Sequence, residues 1–337
     1  MAVGDLITAQ RYNAMLQSVR NVLGKGSVAS GYGQVLDSTD RTAVTDSVRA
    51  LDMVNLLKDI NKCLVHQTGS VSADLVNVIA GDIIADDVSD DTVLNSGDGD
   101  KKGYVDFENV ITSLVNNKLN AFSNDYQVIN SNATDTNWRV SVVHNAIITF
   151  DGGYATTNAD GTAGTASGED HYRHFFNSGG SIVFFGSVSA DTSPGASASK
   201  NSNWNGMLSS IGQVLLSSTG ISASSGAATT NAKPALDIIV DSTWRTYFEK
   251  FGSSFYSENK YTIEVRRPQA NRLDFRVSML DLDTTASDID TPGYSPTDEY
   301  VTGTTASTIG MYRAADTASV NVPAPTTGTT SYVVTAG

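Results

Sequence analysis

The sequence predicts an α+β protein, in which an N-terminal helical region precedes a β-rich, sandwich-like domain with two packed helices. Apolar residues recur at helical spacing near the N-terminus, the run IVFF at 182–185 lies between glycines, and residues 261–279 alternate between apolar and polar side chains. We place the domain boundary after residue 125. Residues 1–125 then form a helical assembly region with an acidic loop, and 126–337 form a β-rich domain with a strand-like C-terminal tail.

Composition and charge limit the kinds of partner. The chain has 337 residues and a formal net charge of −14, and charged residues make up 17% of it. An ordinary globular protein has about 25% charged residues. Its basic clusters do not exceed the pairs Lys101-Lys102 and Arg266-Arg267, whereas binding to a nucleic-acid backbone needs a basic patch. We therefore expect no direct contact with nucleic acid.

A single cysteine, Cys63, lies within a helical apolar pattern, which predicts a buried small side chain rather than a nucleophile. One cysteine cannot form a disulfide within the chain. The opening residues MAVGDLITAQ lack the basic and apolar pattern of a secretory signal, and no run of about 18 apolar residues predicts a membrane span. We expect folding in a reducing cytoplasm and no membrane contact.

Two N-terminal segments are predicted to form helices. The first covers 8–23, with Thr8 as its N-cap, and the second covers 45–66, with Thr45 or Asp46 as its N-cap. The pair is interpreted either as a small helical subdomain or as an assembly arm, because a short pair of helices has too small a core to be stable alone and gains from a neighbour. The interface residues predicted on the first helix are Tyr12, Met15, Leu16 and Val19.

A glycine-rich connector, GKGSVASGYGQ, follows at 24–34. Its glycines permit backbone conformations with positive φ. A glycine loop beside a helix also suggests phosphate binding, but G-K-G-S does not match the Walker motif G-x-x-x-x-G-K-[ST]. We therefore expect a structural loop.

Residues 68–103 are acidic and irregular. Asp98, Asp100 and Asp106 fall on ligand positions of the calcium-loop template, but two other ligand positions carry a lysine and an asparagine. The three aspartates are kept as candidate metal ligands. The favoured interpretation is an acidic turn that ends at Asp106, which then caps a helix over 107–123.

The central strand predicted at 182–185 is preceded by the segment EDHYRH, which places His171 and His174 three residues apart beside two acidic residues. Such a group can hold a divalent metal when a helix carries it. No helix is predicted there, and no H-E-x-x-H motif is present. We therefore favour imidazoles that, with Arg173, cover the start of the strand at the surface, with metal binding as the alternative.

Further elements are a helix over 204–216, a strand over 236–240 and a helix over 243–255. The aromatic residues of the last segment recur every three or four residues, which predicts a helix face packed on a sheet, with a sugar-binding platform as the alternative. A binding module needs exposed aromatic residues in loops, whereas Trp204 and Trp244 are predicted on apolar helix faces.

Residues 261–279 form the clearest hairpin. Its polar face carries opposite charges on facing strands, which indicates a solvated or inter-subunit face. After an acidic loop over 281–299, the chain ends in TTSYVVTAG. A terminal strand of this kind pairs with another subunit or frays. The interface residues predicted in the tail are Tyr332, Val333 and Val334.

No catalytic site is predicted. None of the four histidines lies in a known motif, and the nucleophile motif G-x-S-x-G does not occur. A carboxylate pair for glycoside hydrolysis stays an alternative, because a sequence does not show distances in space. We expect no enzymatic activity, no cofactor and no small-molecule substrate.

Three stretches carry a resemblance to a known family. The opening MAVGDLITAQRYNAMLQSVRNVLGKG with GYGQ, the segment HYRHFFNSGGSIVFFGS and the segment NWNGMLSSIG resemble virion structural proteins of contractile-tailed phages that infect marine cyanobacteria. That family is defined by presence in particles, so the resemblance implies a part of the virion and brings no catalytic residues.

The expected function is therefore a structural component of a tailed-phage virion, in the tail or neck, that assembles as a symmetric oligomer. The expected partners are copies of the chain and other virion proteins, and the expected location is the virion, after synthesis in the host cytoplasm. A host-binding fibre or adhesin module and a fibre-borne glycan-degrading enzyme are the alternatives.

Overall fold

The computed structural model describes residues 9–41, 47–73, 75, 77–78, 103–189, 196–283, 300–314 and 319–336. For residues 196–198 only the backbone is described. The helices are α1 (Ala9–Leu23), α2 (Ala50–Thr68), α3 (Tyr104–Asn116), α4 (Gly168–Asn177) and α5 (Ala196–Ile211). The strands are β1 (Asn124–Thr134), β2 (Ser141–Thr149), β3 (Ala155–Thr157), β4 (Ala163–Thr165), β5 (Ser181–Val188), β6 (Val214–Ser217), β7 (Gly220–Ser222), β8 (Ala227–Ala228), β9 (Asp241–Phe251), β10 (Lys260–Gln269), β11 (Arg272–Leu280), β12 (Thr305–Ala314), β13 (Thr326–Thr327) and β14 (Ser331–Thr335).

The α+β class is confirmed, with N-terminal helices followed by antiparallel sheets. The chain forms two compact units. Unit 1 contains 1–125, 151–179 and 313–324, and unit 2 contains 126–150, 180–312 and 325–337. None of the described helices is both long and apolar enough to cross a membrane.

Unit 1 is built on α1, α2 and α3, which contact one another. Helix α3 begins and ends earlier than predicted: its N-cap is Gly103, Asp106 lies in its first turn, and Phe122 lies beyond its end with 66% of its surface exposed. Asp106 is therefore not the capping residue. The expected N-caps Thr8, Thr45 and Asp46 lie outside the described residues.

The glycine connector of unit 1 is a fixed loop between α1, α4 and β3. The Lys25 amide donates to the Thr157 carbonyl at 2.8 Å, and the Asn177 side chain donates to the Ala29 carbonyl at 2.9 Å. Gly33 has φ +73°, and a Cβ at this position would overlap the imidazole of His174. Glycine is thus required at residue 33 by conformation and by space.

Helix α4 lies where no helix was predicted. Ser167 is its N-cap: the Ser167 amide donates to Asp170 Oδ2 at 2.8 Å, and the Asp170 amide donates to Ser167 Oγ at 3.2 Å. The aromatic side chains Phe175 and Phe176 are fully buried. This reciprocal cap is visible in the sequence as S-G-E-D, so the helix could have been predicted.

Unit 2 is a sandwich of two antiparallel sheets. The five-stranded sheet has the order β1-β12-β5-β6-β7, and the seven-stranded sheet has the order β13-β2-β11-β10-β9-β8, with β14 also paired to β2. The two sheets face each other, since the rings of Phe184 on β5 and Phe275 on β11 lie 5.2 Å apart. The predicted strand at 182–185 is confirmed as the middle of the five-stranded sheet.

The hairpin β10–β11 confirms the predicted alternation and charge pairing. Glu264 faces Arg276 and Arg266 faces Asp274 across the strands. The charged atoms of these pairs are 3.1 and 2.8 Å apart.

Two predicted elements of unit 2 are wrong. Residues 243–255 belong mainly to strand β9 instead of a helix, and residues 236–240 hold a 3-10 turn, Ala235–Asp237, instead of a strand. A bulge in the pairing of β9 with β10 turns Tyr247 and Phe248 both inward, which imitates helical spacing. Among the described residues, α5 is therefore the α-helix of unit 2, and it ends at Ile211, before β6.

Replacement of Gly33 by alanine is expected to destabilise unit 1 more than the matched replacement of Gly153. Both glycines have positive φ, but a Cβ on Gly153 would meet nothing within 4 Å. Gly153→Ala should cost about 1–2 kcal/mol from backbone strain. Gly33→Ala should cost about 1–3 kcal/mol more because the methyl group displaces His174. Urea unfolding measures both; equal losses would show that residue 33 is not packed against the imidazole.

Candidate assembly interface

Two strands of unit 2 lie at the margins of its sheets. Strand β1 is an edge strand of the five-stranded sheet. Strand β14 pairs with β2 along one of its edges, and among the described residues its other edge is open. Within the described part of the chain, no strand pairs with the outer edge of either. An unpaired edge presents a row of backbone N–H and C=O groups that another strand can bind.

Strand β14 contains the three interface residues predicted in the tail. Tyr332, Val333 and Val334 pair with His144, Val143 and Val142 of β2, so the strand belongs first to its own chain. Val333 remains 51% exposed. The tail is therefore a paired strand with one open edge, and its contact with a second subunit stays a prediction.

A buried imidazole holds the strands near this margin together. His144 of β2 contacts Ser307 Oγ of β12 through Nδ1 at 3.0 Å and Asn130 Oδ1 of β1 through Nε2 at 2.7 Å. Asn132 Nδ2 of β1 also lies 3.2 Å from Nε2, so two amide side chains of β1 contact this nitrogen. The ring of Tyr332 on β14 packs edge-on at 5.7 Å. A neutral His144 thus links four strands.

The apolar stripe of α1 lies inside unit 1. Tyr12, Leu16 and Val19 are fully buried and Met15 is 3% exposed. These side chains form the core that α1 shares with α2 and α3, so they do not present an exposed face to a neighbouring subunit. The sequence shows the stripe but not that the third helix, α3, already covers it.

The histidine pair of unit 1 is buried and hydrogen-bonded, not at the surface as expected. His171 accepts from the Gly152 amide at 3.2 Å and contacts the Pro323 carbonyl through Nε2 at 2.8 Å. His174 Nδ1 lies 2.7 Å from the Tyr154 hydroxyl. Burial lowers the pKa of His171 and brings the pKa of His174 to about 4. Both imidazoles are thus neutral structural groups at pH 7.

The metal-site predictions have different outcomes. In the described residues, no three His, Cys, Asp or Glu side chains are arranged to hold a metal ion, so His171 and His174 are not joined by a third ligand. Asp98 and Asp100 lie outside the described residues. Asp106 is placed within α3, so the loop template gains no structural support from it.

An open cleft of about 520 Å³ lies beside the glycine connector in unit 1. Val28 borders it with φ 53°, which is an unusual conformation for a β-branched residue. Its charged groups are internally compensated: Lys25 lies 2.9 Å from Asp170, and Arg173 lies 3.4 Å from Glu169. This pairing does not favour the phosphate alternative.

Sequence reasoning misplaced Trp244. It lies on strand β9, half-buried, with the guanidinium groups of Arg266 and Arg276 at 4.5 and 4.4 Å from its ring centroid. Trp204, in contrast, is fully buried in α5 and packs edge-on against Trp138 at 5.3 Å. Arginines thus cover the indole of Trp244, on the charged face of the seven-stranded sheet.

Comparisons with protein-family models, with curated proteins and with solved structures found no match.

Substitution of His144 by glutamine is expected to reduce the acid sensitivity of unit 2. Burial lowers the pKa of His144 from 6.5 to about 4. Between these values the unfolded chain binds a proton that the folded chain does not, so stability is complete above pH 6.5 and falls as the pH drops toward 4. His144→Gln should remove about 1.4 kcal/mol per pH unit from this slope. Unfolding free energies measured across this range test it; parallel slopes would contradict the buried neutral imidazole.

Proposed function

We propose that the chain is a structural component of a tailed-phage virion, in the tail or neck, that acts through assembly with copies of itself. The observation that carries this proposal is the pair of open strand edges, β1 and β14, in unit 2. The resemblance of 1–34 and the two later stretches to virion structural proteins supports the setting. Copies and other virion proteins are the proposed partners.

The composition of the two edges favours strand pairing between copies. Proteins that stay monomeric protect such edges with lysine, proline or very short strands. Strand β1 has 11 residues, NDYQVINSNAT, and β14 reads SYVVT; neither contains lysine or proline. Exposed apolar groups lie on both, since Val128 is 56% and Val333 is 51% exposed. Pairing would satisfy the backbone and cover these side chains.

The charge distribution is consistent with controlled assembly. The net charge of −14 keeps copies soluble and apart in the absence of specific contacts. Strand β14 carries no ionisable group other than Tyr332, so a contact along it buries no carboxylate. Specific pairing at the strand edges can therefore bring copies together although their net negative charges repel one another.

A host-binding module is the second candidate, and one feature of unit 2 favours it. An open cleft of about 460 Å³ is lined by aromatic residues, among them Phe255, which is 71% exposed, and Phe251, which is 47% exposed. Exposed aromatic rings beside amide and hydroxyl groups suit sugar binding. Incubation of the purified chain with host polysaccharide separates the candidates: retention supports the binding module, and depolymerisation supports a glycan-degrading enzyme.

Substitution of Val333 by lysine is expected to dissociate the oligomer. The exposed side chain lies on the open edge of β14, and a lysine there places like charges close together when two copies pair. We expect wild-type protein to sediment as an oligomer and Val333→Lys to raise the dissociation constant at least about tenfold, or ~1.4 kcal/mol. Val128→Lys tests the edge of β1 in the same way.

The matched control is Val115→Lys. Val115 is 41% exposed on α3, a helix of unit 1 that belongs to neither sheet, and this change should leave the sedimentation coefficient unaltered. A wild-type chain that remains monomeric at high concentration would contradict the proposal, as would equal oligomerisation of all variants.

A further inference from the structure

A buried cluster of three charged side chains lies in unit 2. Lys200 Nζ is 2.8 Å from Asp281 Oδ2 and 3.3 Å from Asp283 Oδ1. The exposed fractions of the three side chains are 1% for Lys200, 1% for Asp281 and 4% for Asp283. The amine and both carboxyl groups are thus removed from water.

The fold positions this cluster from separate elements. Lys200 lies on α5, and the two aspartates follow the end of β11. The Asp281 amide donates to the Val140 carbonyl at 3.0 Å. Asn259, which is fully buried, accepts from the amides of Leu282 and Asp283 at 2.7 and 3.1 Å. The backbone that carries both carboxyl groups is therefore fixed opposite the amine.

The protonation of the cluster differs from that of an ordinary ion pair. Burial, together with the hydrogen bond to Asp283, raises the pKa of Asp281 to about 8. In the described residues Asp281 Oδ1 has no hydrogen-bond partner, while Asp283 Oδ1 lies 3.3 Å from Lys200 Nζ. The protonated carboxyl thus lies beside a desolvated amine, as amide formation requires.

We propose that Lys200 and Asp281 condense to form an intrachain amide between Lys200 Nζ and Asp281 Cγ, with Asp283 transferring the proton. One carboxylate is enough to form an ion pair with Lys200, but this cluster contains two carboxyl groups. The second carboxyl, within reach of both partners, is what a general base and acid requires. Buried positions keep the reacting groups together and exclude the water that would compete.

The atoms of the reaction balance without an external reagent. Asp283 accepts a proton from the Lys200 ammonium, and the neutral Nζ attacks Cγ of the protonated Asp281. Asp283 then gives that proton to the hydroxyl that leaves Cγ as water, and it takes the second proton from the nitrogen as the amide forms. That second proton stays on Asp283, which ends as a neutral carboxylic acid. The bond formed is N–C, the bond broken is C–O, and nothing is oxidised or reduced.

The test is the mass of the purified, folded full chain. The proposal predicts a mass lower than that of the sequence by one water molecule. Trypsin should then fail to cleave after the acylated Lys200, and the digest should contain a branched peptide that joins Lys200 to Asp281. Full sequence mass in a folded wild-type chain, after prolonged incubation at neutral pH, would overturn the proposal without reference to any variant.

Two variants assign the roles. Lys200→Met removes the nucleophile, so the branched peptide should be absent. Any water loss that persists in this variant comes from another site, such as an Asp-Gly succinimide. Asp283→Asn keeps both reacting groups, and a chain with native circular dichroism and full sequence mass supports proton transfer by Asp283. A branched peptide in Asp283→Asn that forms as fast as in wild type would overturn that role.

Discussion

Burial of strand β5 on both sides of its sheet is the constraint on which unit 2 depends. Ile182, Val183 and Phe184 are fully buried, although successive residues of a strand point to opposite faces. One face meets the seven-stranded sheet through the contact of Phe184 with Phe275. A strand covered on both faces needs hydrogen-bonded neighbours on both edges, which β12 and β6 supply.

This constraint explains why polar groups inside unit 2 are neutral or compensated. His144 is uncharged and hydrogen-bonded between strands, and Lys200 is matched by two carboxyl groups. In a low-dielectric interior, charge without a partner is costly, so such groups share protons or pair. The sheet edges differ from this interior, because water forms hydrogen bonds with their unpaired backbone groups until another strand takes the place of the water. The same unit thus combines a rigid, dry interior with margins suited to pairing.

The periodicity of apolar residues correctly predicted those elements whose apolar residues repeat regularly along the sequence. The strand at 182–185, the hairpin and the helix α1 follow from periodicity alone. Strand β9 was missed because the bulge at Tyr247 breaks its alternation, and β1 was missed because polar residues dominate it and none of its side chains is fully buried. The cluster of Lys200 with Asp281 joins residues 81 positions apart, so only the fold brings it together. The packing of α3 over the apolar stripe of α1 is likewise a tertiary contact that the local sequence pattern does not show.

Native-state hydrogen exchange tests the central role of β5 most directly. If β5 is the most deeply buried part of unit 2, the amides of residues 182–184 should exchange only through global unfolding of that unit, while those facing outward on β14 exchange through local opening. The predicted result is protection at 182–184 equal to the unfolding free energy of unit 2. Exchange of these amides as fast as those on the open edge of β14 would contradict the account.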